Sequence, residues 1–476
     1  MTHDTVSGKS VSAGAKTVGS LLGFLIFIEV TSGFVQGFYT PLLPDLARHV
    51  GVSEEAMNWF QTAQAMAAAV MVPLLSKMGD VFGPRKILRG AVVSVLLGTL
   101  VIALVPSYAP VLIGRVLMGP LGVWLPLVVA LVYVRSSGQS ATRSISILSA
   151  SVMGGVLLGT ITSGLVGGLA DSIVVALLVP SLLVAVSTFI VFFVLPKDID
   201  LSRGSIDWVG FAGFGGLILV VILAAAFLKP RHQVLPFVLL AAVLIGSLLW
   251  VMWEKRVPSP AVNLKMATSR AMGPLYLAGF FIGIVSINAS PNLVDFLSKD
   301  PAIYTYGFNA TSTLRAGLVA VILIFATLGG ISSSFVAAKL GMRRTLIGGA
   351  LLGALGQALL LPFPHTLWMI WVSGIITGIG LGLLMGALPA LVAHAAPEGQ
   401  TGAANGIYSA LVAMGGAVGG AVFKQVLVAS RDVWGRPDLS GYMLVWGISV
   451  CAFLIAMLMM MWVDLGGRKP KAATGS

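Results

Sequence analysis

The chain has 476 residues, of which 57% are hydrophobic and 10% charged, and its formal net charge is +12. Soluble domains carry about 25% charged residues, so this composition excludes an ordinary soluble protein and indicates a chain solvated by lipid. The positive charge does not indicate nucleic-acid binding, because the Lys and Arg residues are spread over short segments between apolar runs.

Apolar runs suited to crossing a bilayer recur along the whole chain. A spanning helix needs about 20 mostly apolar residues. Fourteen runs approach this length, at 18–40, 57–76, 87–105, 111–134, 145–170, 173–195, 209–228, 234–253, 272–295, 314–336, 343–361, 366–391, 403–428 and 440–463. The hydrophilic start lacks the features of a signal peptide, so the first run is predicted to be retained. The Lys and Arg bias between alternate segments predicts a multi-pass protein of the cell inner (plasma) membrane with both termini cytoplasmic.

Short basic turns with Gly repeat at matching places, at 77–86 after the second run and at 339–344 after the tenth. Gly-rich stretches likewise recur in the fifth run of each unit, at 154–168 and 402–420. The repeat predicts an all-α membrane protein with two six-helix bundles and two inserted helices, fourteen transmembrane helices in all. The predicted division is a tail at 1–17, a bundle at 18–195, a linker with the inserted helices at 196–270, a bundle at 271–463 and a tail at 464–476.

Glu29 is the acidic residue placed well inside a predicted span. An ionised carboxylate is costly there, so the side chain is expected to face the bundle interior or a water-filled cavity and to exchange protons. Gln36 shares its helix face and is a candidate substrate contact. The alternative is a structural acid held by hydrogen bonds.

Arg115 is the basic residue well inside a span, in the outer part of the fourth. A guanidinium stays charged, so it would influence a nearby acid or bind substrate. The alternative is an arginine that extends to the outer headgroups.

Asn288, Asn292 and Asp295 form a polar face on the ninth run at helical spacing. They are candidate substrate contacts, although Asn also joins neighbouring helices in membranes. No catalytic motif is recognisable, so an enzyme is not expected, and neither is a cofactor or a metal site. The single Cys451 excludes an intramolecular disulfide.

Together these segments resemble the major facilitator superfamily, in particular its fourteen-span drug:proton antiporter branch. The resemblance rests on 79–86 (GDVFGPRK) after the second span, on 29–31 (EVT) and 41–44 (PLLP) around the first, on 112–119 (LIGRVLMG) in the fourth, and on 207–210 (DWVG) before the inserted pair. It implies that Glu29 and Arg115 take part in proton coupling.

The resemblance also implies a conformational latch on the cytoplasmic side. Asp80 and Arg85 would form a pair that breaks as the two halves rock, while Gly79 and Gly83 would permit the tight turn between helices. The alternative is a solvated ion pair worth under about 1 kcal/mol.

Gly155 and Gly159 in the fifth run are small residues four apart, a spacing that predicts close helix packing. The antiporter motif has a proline where Thr160 stands here, and this departure weakens the signature for export.

The leading hypothesis is therefore a monomeric proton antiporter that exports small amphipathic or cationic organic compounds by alternating access. Its partners would be the small-molecule substrate, protons and the lipid bilayer. Three alternatives stay open, namely an exporter of an endogenous metabolite or lipid, a proton-coupled importer, and a membrane scaffold or receptor without flux.

Overall fold

The computed structural model describes residues 6–52, 54–135, 138–169, 173–196, 205–227, 235–258, 260–397, 400–432 and 436–463. Most of the residues in these ranges are helical. The predicted C-terminal tail at 464–476 lies outside them, as do parts of the N-terminal tail and of the linker.

The first half of the chain forms seven α-helices, α1 (Val6–Val50), α2 (Glu54–Phe82), α3 (Pro84–Leu104), α4 (Tyr108–Leu117), α5 (Trp124–Arg135), α6 (Gly138–Leu169) and α7 (Ile173–Phe189). The fourth predicted run is thus two helices joined by a 3-10 turn, Gly119–Val123. The turn contains Pro120, which has no N–H to donate to an α-helix. The sixth run ends in a π-helical turn, Ile190–Val194.

Ten further helices follow, α8 (Trp208–Phe227), α9 (Leu235–Glu254), α10 (Leu264–Ala267), α11 (Met272–Ser298), α12 (Pro301–Tyr304), α13 (Ser312–Leu340), α14 (Met342–Ala358), α15 (Leu367–Ala395), α16 (Thr401–Ala429) and α17 (Leu439–Trp462). The short helices α10 and α12 lie in connections. The inserted pair is α8 and α9.

Eleven segments of the described chain are long and apolar enough to cross a membrane. The other three predicted spans correspond to α8 and α9, with 20 residues each, and to α14, with 17 residues. The chain is therefore a multi-pass membrane protein, and the count of fourteen stays a prediction.

The helices bury two large apolar clusters, one built mainly from residues up to Leu195 and one from Val262 onward. Corresponding helices pack alike in the two halves, since α1 packs along α6 and α11 packs along α16. Contacts between the halves join α2 to α16 and α6 to α13. We call the end of the bundle where α2 and α13 finish the Asp80 side, and the opposite end the Arg115 side.

Candidate functional site

Glu29 is fully buried in α1, close to the middle of the span Leu21–Tyr39. Neither oxygen of its carboxyl group has a hydrogen-bond partner within the described part of the chain. A buried carboxylate without partners is strongly disfavoured in its ionised form. The carboxyl group of Glu29 thus lacks protein contacts that would stabilise its ionised form.

The contact between α1 and α6 is unusually close beside Glu29. A Cβ added to Gly155 would collide with the backbone oxygen of Val30, and one added to Gly159 with that of Phe34. These two small residues let the helix backbones touch, which suits packing in lipid. Because Gly33 likewise meets Val152, Glu29 lies one turn earlier, at the height of residues 148–149 on α6.

Arg115 is buried in α4, and its guanidinium stacks on aromatic rings. Its Cζ lies 3.7 Å from the ring centroid of Phe60 and 4.8 Å from that of Tyr39. Nη1 donates a hydrogen bond to Oε1 of Gln64. The aromatic faces attract the cation, so the site holds charge in an otherwise apolar position.

The structure does not place Arg115 beside Glu29. Arg115 contacts Tyr39, which lies ten residues beyond Glu29 on the same helix, or about 15 Å along its axis. The sequence left the distance between the two residues open, and their joint role in proton coupling stays a prediction. An influence of Arg115 on the acid would need a change of conformation or a substrate between them.

Asp80, on α2 of the first half, binds the N-terminus of α16 in the second half. Its Oδ1 accepts a hydrogen bond of 2.9 Å from the backbone N–H of Gly402, and its Oδ2 one of 2.7 Å from that of Ala403. Both amides belong to the first turn of α16, whose N–H groups have no partner inside the helix. An anion is stabilised there by these donors and by the helix dipole.

Arg85 binds backbone carbonyl groups at the end of the sixth span, and its predicted pairing with Asp80 stays a prediction. Arg85 Nη2 donates to the carbonyl oxygen of Phe192 at 2.7 Å and Nε to that of Val191 at 3.4 Å. Arg89 donates to the Phe192 oxygen as well, at 2.7 Å. A π-helical turn leaves carbonyl groups outside the regular α-helical pattern, and these two arginines hold them.

The two predicted turn glycines do different things. Gly83 adopts a positive φ of 105° at the start of α3, which favours glycine. Gly79 instead lies within α2, where a Cβ would collide with the side chain of Leu127 on α5. The tight turn therefore depends on Gly83, and Gly79 provides a close helix contact.

The remaining predicted substrate contacts form hydrogen bonds with backbone oxygens of their own or a neighbouring helix. Gln36 is exposed on α1, and its Nε2 donates to the backbone oxygen of Ser32. Asn288 joins α11 to α16 by donating to the Gly416 oxygen at 2.8 Å. Asn292 donates to the backbone oxygen of Asn288 on its own helix.

Asp295 lies near the end of α11 and belongs to a compact polar and aromatic cluster. It forms an ion pair of 2.9 Å with Lys299 and accepts a hydrogen bond from the hydroxyl of Tyr442. Phe296 stacks on Tyr306 beside it, with ring centroids 5.4 Å apart. These contacts place Asp295 in the packing at one end of the second half, and its role as a substrate contact stays a prediction.

Sequence reasoning missed several residues of the site. Gln64, Phe60 and Tyr39 surround Arg115 but have no motif that marks them. The sequence offers two weak signals for them. Phe60 and Gln64 are four residues apart on α2, and Tyr39 stands at the end of the first span. The backbone amides that hold Asp80 carry no side-chain signal at all.

Comparison with known proteins places this arrangement in a family. A family profile described as Major Facilitator Superfamily matches residues 25–314, 206–420 and 275–476. This chain belongs to the Major Facilitator Superfamily. As a member of that superfamily it is a membrane transporter, which binds small-molecule substrates.

Relatives within the Major Facilitator Superfamily differ in the cargo that their names state. The chain is 27% identical to a puromycin resistance protein of Streptomyces alboniger, over 81% of this chain and 76% of that protein. It is 25% identical to a triacylglyceride transporter of Mycobacteroides abscessus, over 85% of this chain and 79% of that protein. The crystal structure of a human organic anion transporter matches the fold with a TM-score of 0.66 at 15% identity, covering 92% of this chain and 98% of that one.

Proposed function

We propose that this protein is a proton-coupled antiporter that exports small amphipathic or cationic organic compounds by alternating access. The observation that carries the proposal is Glu29, a fully buried acid whose oxygens have no partner among the described residues. Ionisable groups at this depth of a membrane protein mark proton or substrate pathways by default.

The proposed cycle couples the charge of Glu29 to the opening of the two halves. A proton on Glu29 makes the acid compatible with the apolar contact between α1 and α6. Release of the proton leaves a buried charge, which is stabilised only when water or a cationic substrate reaches it. Asp80 closes one side of the protein in the state described, so its bonds to α16 must break before that side opens.

The resistance protein among the relatives supports an exporter of foreign compounds. The triacylglyceride transporter favours a second candidate, an exporter of an apolar lipid. Both candidates use the same fold and differ in cargo, so only substrate profiling separates them.

The test is substrate-driven proton flux in proteoliposomes with a pH-sensitive dye inside. Addition of a cationic dye substrate is expected to move protons with the wild-type protein and to give only background with Glu29→Gln. The matched control is Glu254→Gln, which alters another buried glutamate, on α9 of the inserted pair. An unchanged unfolding temperature in detergent shows that the variants are folded.

Proton-coupled flux that persists in Glu29→Gln would disprove the proposed role of Glu29 in proton coupling. Flux of triacylglyceride without flux of dyes would replace the first candidate with the second. Uptake instead of export, in vesicles of known orientation, would make the protein an importer.

A further inference from the structure

A cavity of about 670 Å³ lies on the Asp80 side, between the start of α6 and the end of α13. Arg143 and Ser140 line it from α6, while Ser334, Phe335 and Ala338 line it from α13. The cavity is separate from Glu29 and Asp80, and neither residue contributes to its wall. Its lining combines one cation, hydroxyl groups and an aromatic ring.

The cavity occupies the position that corresponds, in the repeat, to the Asp80 contact. Gly83 and Gly341 each begin the third helix of their half with a positive φ, of 105° and 87°. Counting back three residues from each glycine reaches Asp80 in the first half and Ala338 in the second. The second half therefore has a methyl group where the first has a carboxylate.

The partner helices correspond in the same way. Gly155 of α6 and Gly415 of α16 each press against the first helix of their own half. Thirteen residues earlier lie Thr142 and Gly402, so Arg143 takes the place of Ala403, the donor to Asp80. The contact between α6 and α13 therefore has Ala338 where the contact between α2 and α16 has Asp80, and Arg143 where that contact has Ala403.

Two side chains of the cavity are left with unused hydrogen-bonding capacity. Ser334 is about nine-tenths buried, yet its Oγ has no hydrogen-bond partner in the described ranges. Arg143 is exposed and stacks on Phe335, with its Cζ 4.9 Å from the ring centroid, and no ion pair is found for it among the described residues. A hydroxyl and a guanidinium on opposite walls of one cavity suit an anion with several oxygens.

The surroundings favour an anion that carries an apolar chain. Exposed apolar residues continue from Phe335 along α13 toward the middle of the bilayer, at Leu328 and Ile331. Arg343 and Arg344 are exposed at the start of α14, just beyond the cavity. Basic side chains at a membrane edge attract the headgroups of anionic lipids.

We propose that this cavity binds the phosphate headgroup of an anionic membrane lipid, with Arg143 as its cationic contact and the Ser334 hydroxyl as a donor. The acyl chains lie along the exposed face of α13. The lipid bridges the two halves at the place where Asp80 bridges them in the other contact. This site is independent of proton coupling, so it stands or falls apart from the proposed function.

The test uses the full-length protein in neutral detergent and native mass spectrometry, with phosphatidylglycerol and phosphatidylcholine of identical acyl chains. The wild-type protein is expected to retain phosphatidylglycerol roughly tenfold more strongly, because the choline cation of phosphatidylcholine offsets the charge of its phosphate and is repelled by the nearby arginines. Arg143→Gln is expected to abolish this preference. Arg256→Gln, which removes an exposed charge at the end of α9, is the matched control and keeps it.

Two further variants test the geometry. Ser334→Ala is expected to weaken retention about threefold, because one neutral donor is lost. Ala338→Asp restores the acid of the first half, so its carboxylate is expected to occupy Arg143 and to expel the lipid. Each variant is checked for an unchanged unfolding temperature.

Equal retention of the two lipids by the wild-type protein would overturn the proposal, and so would a preference that survives in Arg143→Gln or Ala338→Asp. Excess inorganic phosphate is expected to leave phosphatidylglycerol bound, because it lacks the chains. Displacement by phosphate alone would make this a site for a free anion and would overturn the assignment to a lipid.

Discussion

Two of the contacts between the halves of this transporter are built on the same helices of the repeat but end differently. Where α2 meets α16, Asp80 binds the first turn of the opposite helix and Ser76 packs against Gly406. Where α6 meets α13, the helices touch near mid-span at Ala150 and Gly330, and then separate around a cavity. One contact is closed by the chain itself, and the other leaves room for a ligand.

This difference indicates a division of labour. A contact made by two charge-assisted hydrogen bonds is present or absent as a unit, so it suits a switch. A contact made by small residues packed at mid-span resists separation there and suits a pivot. Three substitutions test this division, in order of expected effect.

Asp80→Ala is expected to have the largest effect. It removes the acceptor for two backbone N–H groups of α16, and a hydrogen bond to a charged group is worth roughly 1.5–3 kcal/mol. The ratio of closed to open molecules should fall at least about tenfold. A cysteine placed at Ser76, in a chain whose own Cys451 is replaced by serine, should then react faster with a maleimide.

Asp438→Ala is the matched control for this experiment. Asp438 also caps a helix, by accepting from the N–H of Ser440 in α17, but within one half of the protein. It should leave the reactivity at Ser76 unchanged. Equal reactivity in Asp80→Ala and the parent would end the description of Asp80 as a switch.

The family and the helix arrangement of this protein can be predicted from its sequence, because both depend on patterns that are visible in the sequence itself. Apolar runs, basic turns and the segment 79–86 locate the spans and the repeat. Glu29 stands out since an acid in an apolar run is rare. These features predicted the fold and the most deeply buried acid of the candidate site.

The partners of these residues depend on distances that the sequence does not encode. Asp80 binds backbone amides at residues 402–403, and any residue type supplies those. The carbonyl groups of the π-helical turn that Arg85 binds carry no signal in the sequence either. The sequence did not give the distance between Arg115 and Glu29, and the structure places Arg115 against Phe60 of α2 and Tyr39 of α1.

Gly330→Leu is expected to disturb the proposed pivot. A Cβ at Gly330 would lie 2.8 Å from the Cβ of Ala150, so a larger side chain must force α6 and α13 apart. Overpacking of this kind costs roughly 1–3 kcal/mol. Thermal unfolding in detergent measures the loss, and Gly348→Leu on α14, where an added Cβ has open space, serves as its control. Equal stability of the two variants would mean that mid-span packing does not hold the halves together.

Tyr133→Phe is expected to have the smallest effect. The Tyr133 hydroxyl and Nδ1 of His394 lie 3.3 Å apart and join α5 to α15 on the Asp80 side. The bond is exposed, so its loss should cost about 0.5–1.5 kcal/mol and change the maleimide reactivity at Ser76 less than Asp80→Ala does. A change as large as that of Asp80→Ala would assign the switch to both contacts.

The π-helical turn at the end of the sixth span has a mechanical consequence. Arg85 and Arg89, both on α3, donate hydrogen bonds to its carbonyl groups. These bonds attach the end of the sixth span to the first bundle. The attachment limits how far the end of the sixth span can move without moving α3.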